Sequence, residues 1–407
     1  MIPGLMASPP AEVVLIADAV FTPAERLADG WVHVRGTQIA AVGSGPVPPG
    51  TDAPVVRLPA GACVAPGFID LHVHGGGGAQ VGPDPSGVAE VAAFHARHGT
   101  TGLLATTVPG PEAALLETVR AVAAVARRPS GETAQVLGCH LEGPFVSPER
   151  PGALDVRHLR PPDLAELGRL LDAGGGSVQM IVIAPEIPGA LGLIATAADE
   201  GVVVALGHTD ATYAQATAGF HRGARAATHL FNGMRPFHHR DPGPAGAALA
   251  APRVTAEIIA DGVHVHPAAL RLAHAAKGPR RLALITDAMQ AAGLEDGDYL
   301  LGEQTVTVTG GEARTASGSL AGSTLTMDRA VCVCVEEAGI PLIDALQMAS
   351  ATPAELLGIG AVSGRIVPGV EASLVVLDED LTAIGTMVRG RWAHCDDALG
   401  AVAAPAA

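Results

Sequence analysis

Eight near-continuous apolar runs, alternating with amphipathic helical stretches, constrain this chain more than anything else in it. The first four runs end at Asp70-Leu71-His72-Val73-His74, Leu103 to Thr107, Val136 to Glu142 and Met180 to Glu186. Four more follow at Val203 to His208, Ala226 to Asn232, Glu257 to Gly262 and Leu282 to Asp287. Between them lie segments such as Pro111 to Arg128, where Leu115, Leu116, Val119, Val122 and Val125 recur at helical spacing. Strands that are apolar on both faces belong in a parallel sheet covered by helices. Eight strand and helix units predict an α/β fold of the (β/α)8 TIM-barrel type, spanning residues 65–359.

The flanks read differently. Short β-type segments at Val13 to Ile16, Trp31 to Val34 and Ile39 to Val42 precede the barrel, and similar ones at Ser373 to Leu377 and Thr386 to Trp392 follow it. Neither set is large enough for its own core. A small β-sandwich domain built from both termini, residues 1–64 plus 360–396, is therefore expected. The Ala-rich segment 397–407 carries no pattern and is expected to be a disordered tail. With 407 residues, 48% of them apolar, the chain is long enough for a large core and a smaller second one.

Charge and targeting signals narrow the partners. A net charge of −16 without a basic run argues against nucleic acid and anionic membranes. No apolar run reaches the roughly 18 residues of a membrane span, and Met1-Ile2-Pro3-Gly4 does not begin an export signal. Five scattered cysteines without a CxxC pair fit a reducing cytoplasm.

Polar residues fall where a barrel builds its active site. His72, His74, Glu142, His208, His229 and Asp287 all lie at the carboxyl ends of the apolar runs. His72 and His74, two apart on a strand, share a face and can grip one cation. A buried carboxylate such as Glu142 is costly without a cation or partner. His-x-His hydrolases commonly bridge two ions with a carbamylated lysine, but the single lysine, Lys277, stands in the polar stretch Lys277-Gly278-Pro279-Arg280-Arg281. Glu142 is the alternative bridge. Divalent ions in such a donor set acidify water and polarise a carbonyl, and a nearby Asp moves the proton. No GxSxG elbow is present, and Gly75 to Gly78 lacks the Gly-Lys-Ser/Thr of a phosphate loop.

The ordered series Pro66 to Gly75, Leu141 to Phe145, Gly207-His208-Thr209, Thr228 to Met234, Asp261 to His264 and Ile285 to Met289 resembles the N-acetylglucosamine-6-phosphate deacetylases of the amidohydrolase superfamily. That resemblance implies hydrolysis of the N-acetyl group of N-acetylglucosamine 6-phosphate. It implies that Glu142, His208 and His229 hold the principal ion, that His72 and His74 can hold a second, and that Asp287 is general base and acid. The ion is expected to be zinc, with iron, manganese or cobalt as alternatives of similar preference. Substrate contacts map onto Asn232, Gly233, His264 and Leu320, the last in Gly318 to Ser323 beside the acetyl group. Arg240 is expected to reach the phosphate bound by the neighbouring subunit of a homodimer.

One position departs from the pattern. Leu154 in Gly152-Ala153-Leu154-Asp155 stands where many members place a histidine or glutamine that contacts the sugar phosphate. Another N-acetylhexosamine phosphate, such as N-acetylgalactosamine 6-phosphate, is the alternative substrate this raises. Two further readings stay open: a cyclic-amide or N-acyl-amino-acid hydrolase, and a metal-binding sugar-phosphate sensor without activity.

Overall fold

The computed structural model describes residues 12–48, 53–128, 130–397 and 399. Its centre is an eight-stranded parallel sheet in which each strand lies beside its sequence neighbour. The strands are β1 (Phe68–Val73), β2 (Thr100–Thr107), β3 (Gln135–Leu141), β4 (Val178–Ile183), β5 (Val203–Leu206), β6 (Ala226–Ala227), β7 (Thr255–Ile259) and β8 (Leu282–Ile285). Every residue of β1, β2 and β7 is buried, as strands covered on both faces require. The expected barrel is present, each strand overlapping a predicted run, and five of them (β1, β2, β3, β4 and β7) start one to three residues before it.

Closure between β8 and β1 occurs just beyond the strand ends. Asp287 N–H donates to the His72 carbonyl at 2.9 Å, and the N–H groups of His74 and Gly75 donate to Ala288 O at 2.9 Å. Deeper in the seam a side chain replaces the ladder. Asp70 Oδ1 accepts from the N–H groups of His72 and Thr286, each at 3.2 Å, and its Oδ2 lies 2.5 Å from the Thr286 hydroxyl.

The helices follow the local signals. Pro85–Ala96 starts behind Asp84, whose carboxylate accepts from Ser86 N–H, and Tyr213–His221 starts with a capping box of Thr212 and Gln215. Leu164–Gly174 ends in left-handed Gly175. After β8 come the helices Met327–Cys332, continued by a π turn over Val333–Glu337, and Leu342–Ala349.

Strands from both termini share one further sheet, in the order Arg391–Cys395, Ala383–Val388, Leu374–Leu377, Cys63–Pro66, Glu12–Phe21, Arg26–Arg35, Gln38–Ser44. Val55–Arg57 adds to Glu12–Phe21 as well. Val13, Leu15, Val32 and Val34 from the first end share a core with Leu374, Val376, Met387 and Trp392 from the second. The segment Thr386 to Trp392, read as one strand, is instead a hairpin turned at Arg389 and Gly390, both with positive φ. At Gly390 a Cβ would strike the carbonyl of Gly36, so glycine is required there. Most of the expected tail lies outside the described residues, but Leu399 is buried in this shared core.

A three-stranded antiparallel sheet of Gly297–Leu301, Gln304–Thr309 and Glu312–Thr315 follows β8 and was not anticipated. Its core of Leu301, Val306, Val308 and Ala313 packs with Met289 and Ala321, placing it beside the mouth of the barrel.

Candidate metal centre at the barrel mouth

The six ligand-type side chains converge. His72 is the last residue but one of β1, His74 and Glu142 stand one residue beyond β1 and β3, and His208, His229 and Asp287 stand two residues beyond β5, β6 and β8. The last three adopt left-handed backbone, with φ of 43°, 27° and 51°. That conformation costs roughly 1–3 kcal/mol for a residue with a side chain and is concentrated at functional sites. Here it turns the chain sharply at the strand end, so that the side chains reach over the mouth.

They form two groups whose donor atoms lie within 4.8 Å of one another: Glu142, His208 and His229, and His72, His74 and Asp287. Glu142 sits between the two. Its Oε1 is 3.0 Å from His208 Nε2, 3.1 Å from His229 Nε2 and 3.3 Å from His72 Nε2, while Oε2 is 3.3 Å from His74 Nε2. The lysine-free bridge expected from sequence therefore has a carboxylate in position. Lys277 is elsewhere, donating to the carbonyls of Ala248 and Ala251 at the end of helix Gly243–Ala250.

Hydrogen bonds on the far side of each ring fix which nitrogen faces inward. His208 Nδ1 meets Arg150 O at 3.0 Å, His229 Nδ1 meets Asn232 O at 3.0 Å and His74 Nδ1 meets Thr106 O at 3.2 Å. A carbonyl only accepts, so these Nδ1 atoms carry the proton and each Nε2 turns a lone pair to the centre. Nε2 of His208 and Nε2 of His229 are only 3.1 Å apart, as are those of His72 and His74. Lone pairs so close repel unless a cation or proton lies between them. The donor set, imidazole and carboxylate without thiolate, fits a divalent ion.

The electrostatics agree. Burial pushes the Glu142 carboxyl up, but the charges of His72 and His208 outweigh it and hold it well below the usual range. Burial likewise opposes the lowering of Asp287, yet His72 and His74 bring it down to about 2. Both carboxylates overcome the burial of the imidazoles, lifting His72 well above its ordinary value and His74 to about 9. A pocket that gathers protons this strongly offers a cation the same field, and metal binding there releases protons.

A cleft of about 280 Å³ opens above these groups, lined by Asn232, Gly233, His264, Leu320, Leu154 and Leu301 among others. Gly233 has φ of +57°, and a Cβ on it would lie 3.0 Å from the His208 ring and 3.2 Å from that of His229. His264 is oriented by Asp261, whose Oδ2 lies 2.6 Å from its Nδ1. Burial would depress this imidazole, but the Asp261 hydrogen bond and charge raise it instead. Arg240 does not line this cleft. It is exposed on the stretch between Met234 and helix Gly243–Ala250, where its N–H meets His238 Nδ1 at 3.3 Å.

Sequence reasoning overlooked Thr228, Glu257 and the supporting carbonyls of Thr106, Arg150 and Asn232. Carbonyl partners leave no trace in side-chain identity. Glu257 did leave one, a charged residue in the buried strand Thr-Ala-Glu-Ile-Ile.

The amidohydrolase family profile matches residues 63–393. The chain belongs to that family. This amidohydrolase is 43% identical to an N-acetylgalactosamine-6-phosphate deacetylase of Escherichia coli O157:H7, over 81% of its own length and 87% of the relative's. It is 38% identical to an N-acetylglucosamine-6-phosphate deacetylase of Bacillus subtilis strain 168, over 94% and 98% of the two chains. A mutant N-acetyl-D-glucosamine-6-phosphate deacetylase of Mycobacterium smegmatis, solved with N-acetyl-D-glucosamine-6-phosphate, superposes with a TM-score of 0.89 at 42% identity, covering 94% of this chain and all of that one.

Proposed function

We propose that this amidohydrolase removes the N-acetyl group of N-acetylglucosamine 6-phosphate, giving glucosamine 6-phosphate and acetate. The observation that carries the reading is Glu142 placed between two inward-facing ligand groups with Asp287 at their edge. Near full-length similarity to sugar-phosphate deacetylases supports the substrate class.

In this reading Glu142, His208 and His229 hold the principal ion, and His72 and His74 hold a second. Zinc is the metal proposed for this donor set, and iron(II), manganese and cobalt are the competitors to be measured against it. A bound divalent ion polarises the amide carbonyl and makes water a better nucleophile. Asp287, whose carboxyl the positive charge beside it holds below its ordinary value, takes the proton from the attacking water at its carboxylate. It returns that proton to the amide nitrogen as the carbon–nitrogen bond breaks. His264, held by Asp261, and the backbone of Asn232 and Gly233 position the sugar phosphate. Leu320 borders the acetyl group. Arg240, exposed on its own chain, completes the neighbouring site in a homodimer. The free state of all five cysteines suits a reducing cytoplasm.

A second reading has its own observation. Leu154 lines the cleft where a polar contact was expected and cannot hydrogen-bond a sugar, so another N-acetylhexosamine phosphate is the alternative, and the Escherichia coli relative is an N-acetylgalactosamine-6-phosphate deacetylase. Metal analysis combined with acetate release from N-acetylhexosamines, with and without the 6-phosphate, tests both. Turnover of none of them would overturn both readings and leave a hydrolase of another amide or a sensor, and faster turnover of N-acetylgalactosamine 6-phosphate would replace the first reading by the second.

A further inference from the structure

We infer that Thr228 and Glu257 form a positioning relay that fixes the His72 ring and so supports a second ion, apart from the first. The inference rests on the metal assignment proposed above. Three of the four inward histidines lean on backbone carbonyls, but His72 does not. Its Nδ1 lies 3.2 Å from the Thr228 hydroxyl, which lies 2.7 Å from Glu257 Oε2. A hydroxyl has one proton to give. With that proton directed at the carboxylate, Thr228 Oγ1 can only accept from His72 Nδ1–H, and His72 Nε2 must present its lone pair to the site.

Glu257 itself is otherwise hard to explain. It is fully buried on β7, and its other oxygen, Oε1, has no hydrogen-bond partner among the described residues. A buried carboxylate with so few partners is costly unless positive charge lies close by. The His72 ring is the group it faces, with Nδ1 4.0 Å from Oε2, and the positive charge it would answer is the ion proposed at the Nε2 of that ring. Asp70 holds the same residue from the backbone side, accepting its N–H at 3.2 Å. Outer partners of this kind orient a ligating imidazole and raise its basicity, and losing one typically costs 10–100-fold in metal affinity. Since the rings of His208 and His229 use carbonyls instead, the loss falls on one ion and not on the other.

The test uses the full chain stripped of metal, then dialysed to equilibrium against graded free zinc, with metal content measured at each step. Wild type is expected to fill in two steps. Glu257→Gln, which keeps an acceptor for Thr228 but removes the charge, and Thr228→Val, which removes the relay, should each weaken only the second step by roughly 10–100-fold. Thr228→Ser should restore it. Filling of the first step at wild-type affinity shows that each variant is folded, and Thr228→Ser with Glu257→Gln, both conservative, suffice if Thr228→Val does not fold. A single step in wild type, equal shifts of both steps, or an unaltered second step in Glu257→Gln would overturn the relay and leave the principal site intact. No zinc uptake by wild type would instead overturn the metal assignment itself.

Discussion

Glu142, His208 and His229 come from the ends of β3, β5 and β6 in the barrel wall, and the two imidazoles are pinned by the backbone carbonyls of Arg150 and Asn232. His72, His74 and Asp287 instead straddle the seam where β8 meets β1; His74 there also leans on a backbone carbonyl, that of Thr106, but His72 is held by side chains, Thr228 with Glu257 at its ring and Asp70 at its N–H. Backbone anchors persist through most substitutions. Side-chain anchors can be altered one at a time, so the seam group is the tunable half of the centre and the wall group the fixed half.

The harshest way to break that contrast is at the residue common to both halves. Glu142→Gln should abolish turnover and lower the content of both ions, as should exhaustive chelation, whereas His72→Ala or His74→Ala should cost the seam ion alone. Normal metal content and rate in Glu142→Gln would remove the shared-ligand assignment. Asp287→Asn comes next. Loss of general acid–base help costs about 10²–10⁴ in rate, and with both proton transfers on one carboxylate the fall in kcat should lie at the upper end. The wall ion should remain, since it keeps Glu142, His208 and His229. Retention of more than about a tenth of wild-type kcat, less than the smallest loss expected of a general base, would mean that another group takes the proton.

A smaller effect lies outside both halves. Arg240→Ala should raise KM for the phosphorylated sugar by an amount equivalent to roughly 1.5–3 kcal/mol, the value of a charged hydrogen bond. An unphosphorylated analogue should be unaffected. Equal weakening of both substrates, or an active species that sediments as a monomer, would dismiss the role across subunits. The mildest test concerns the seam. Burial raises Asp70 to about 7 against the hydrogen bonds of Thr286 and His72. Because the folded carboxyl holds its proton more tightly than the unfolded one, its contribution is complete below about pH 4 and is lost as the pH rises to about 7. Asp70→Asn should remove that loss in metal-free protein, so the difference in melting temperature between variant and wild type should move in the variant's favour across this window. A difference that stays flat would show that Asp70 is ionised throughout.

How far the sequence revealed these features depends on their physical origin. Parallel strands buried on both faces are readable as apolar runs, and ligands at their carboxyl ends stand out because a charge or imidazole there is expensive. The left-handed turns at His208, His229 and Asp287 are not readable, because a backbone angle forced by tertiary contacts has no residue signature when the residue is not glycine. That is why β6 shrinks to Ala226–Ala227 although its apolar run continues to Phe231. The added sheet after β8 was readable but passed over: Gln304–Thr309 alternates strictly, and Gly302 and Gly310-Gly311 mark its turns. The place of Arg240 outside its own cleft agrees with the role across subunits that the resemblance implied, but spacing alone could not give it, since the distance from His229 in sequence says nothing about which way the intervening chain runs.

Lys277 leaves the protein with a convenient property. It is the one lysine in the sequence, half-buried, and its amine is tied to the carbonyls that end helix Gly243–Ala250, with burial and Arg281 bringing it down to about 8. Apart from the chain's α-amino group, an amine-directed reagent thus meets a single target, and meets it when the amine leaves the carbonyls of Ala248 and Ala251. The rate of acylation at Lys277 therefore reports how often that contact opens, readable by mass spectrometry without introducing a label.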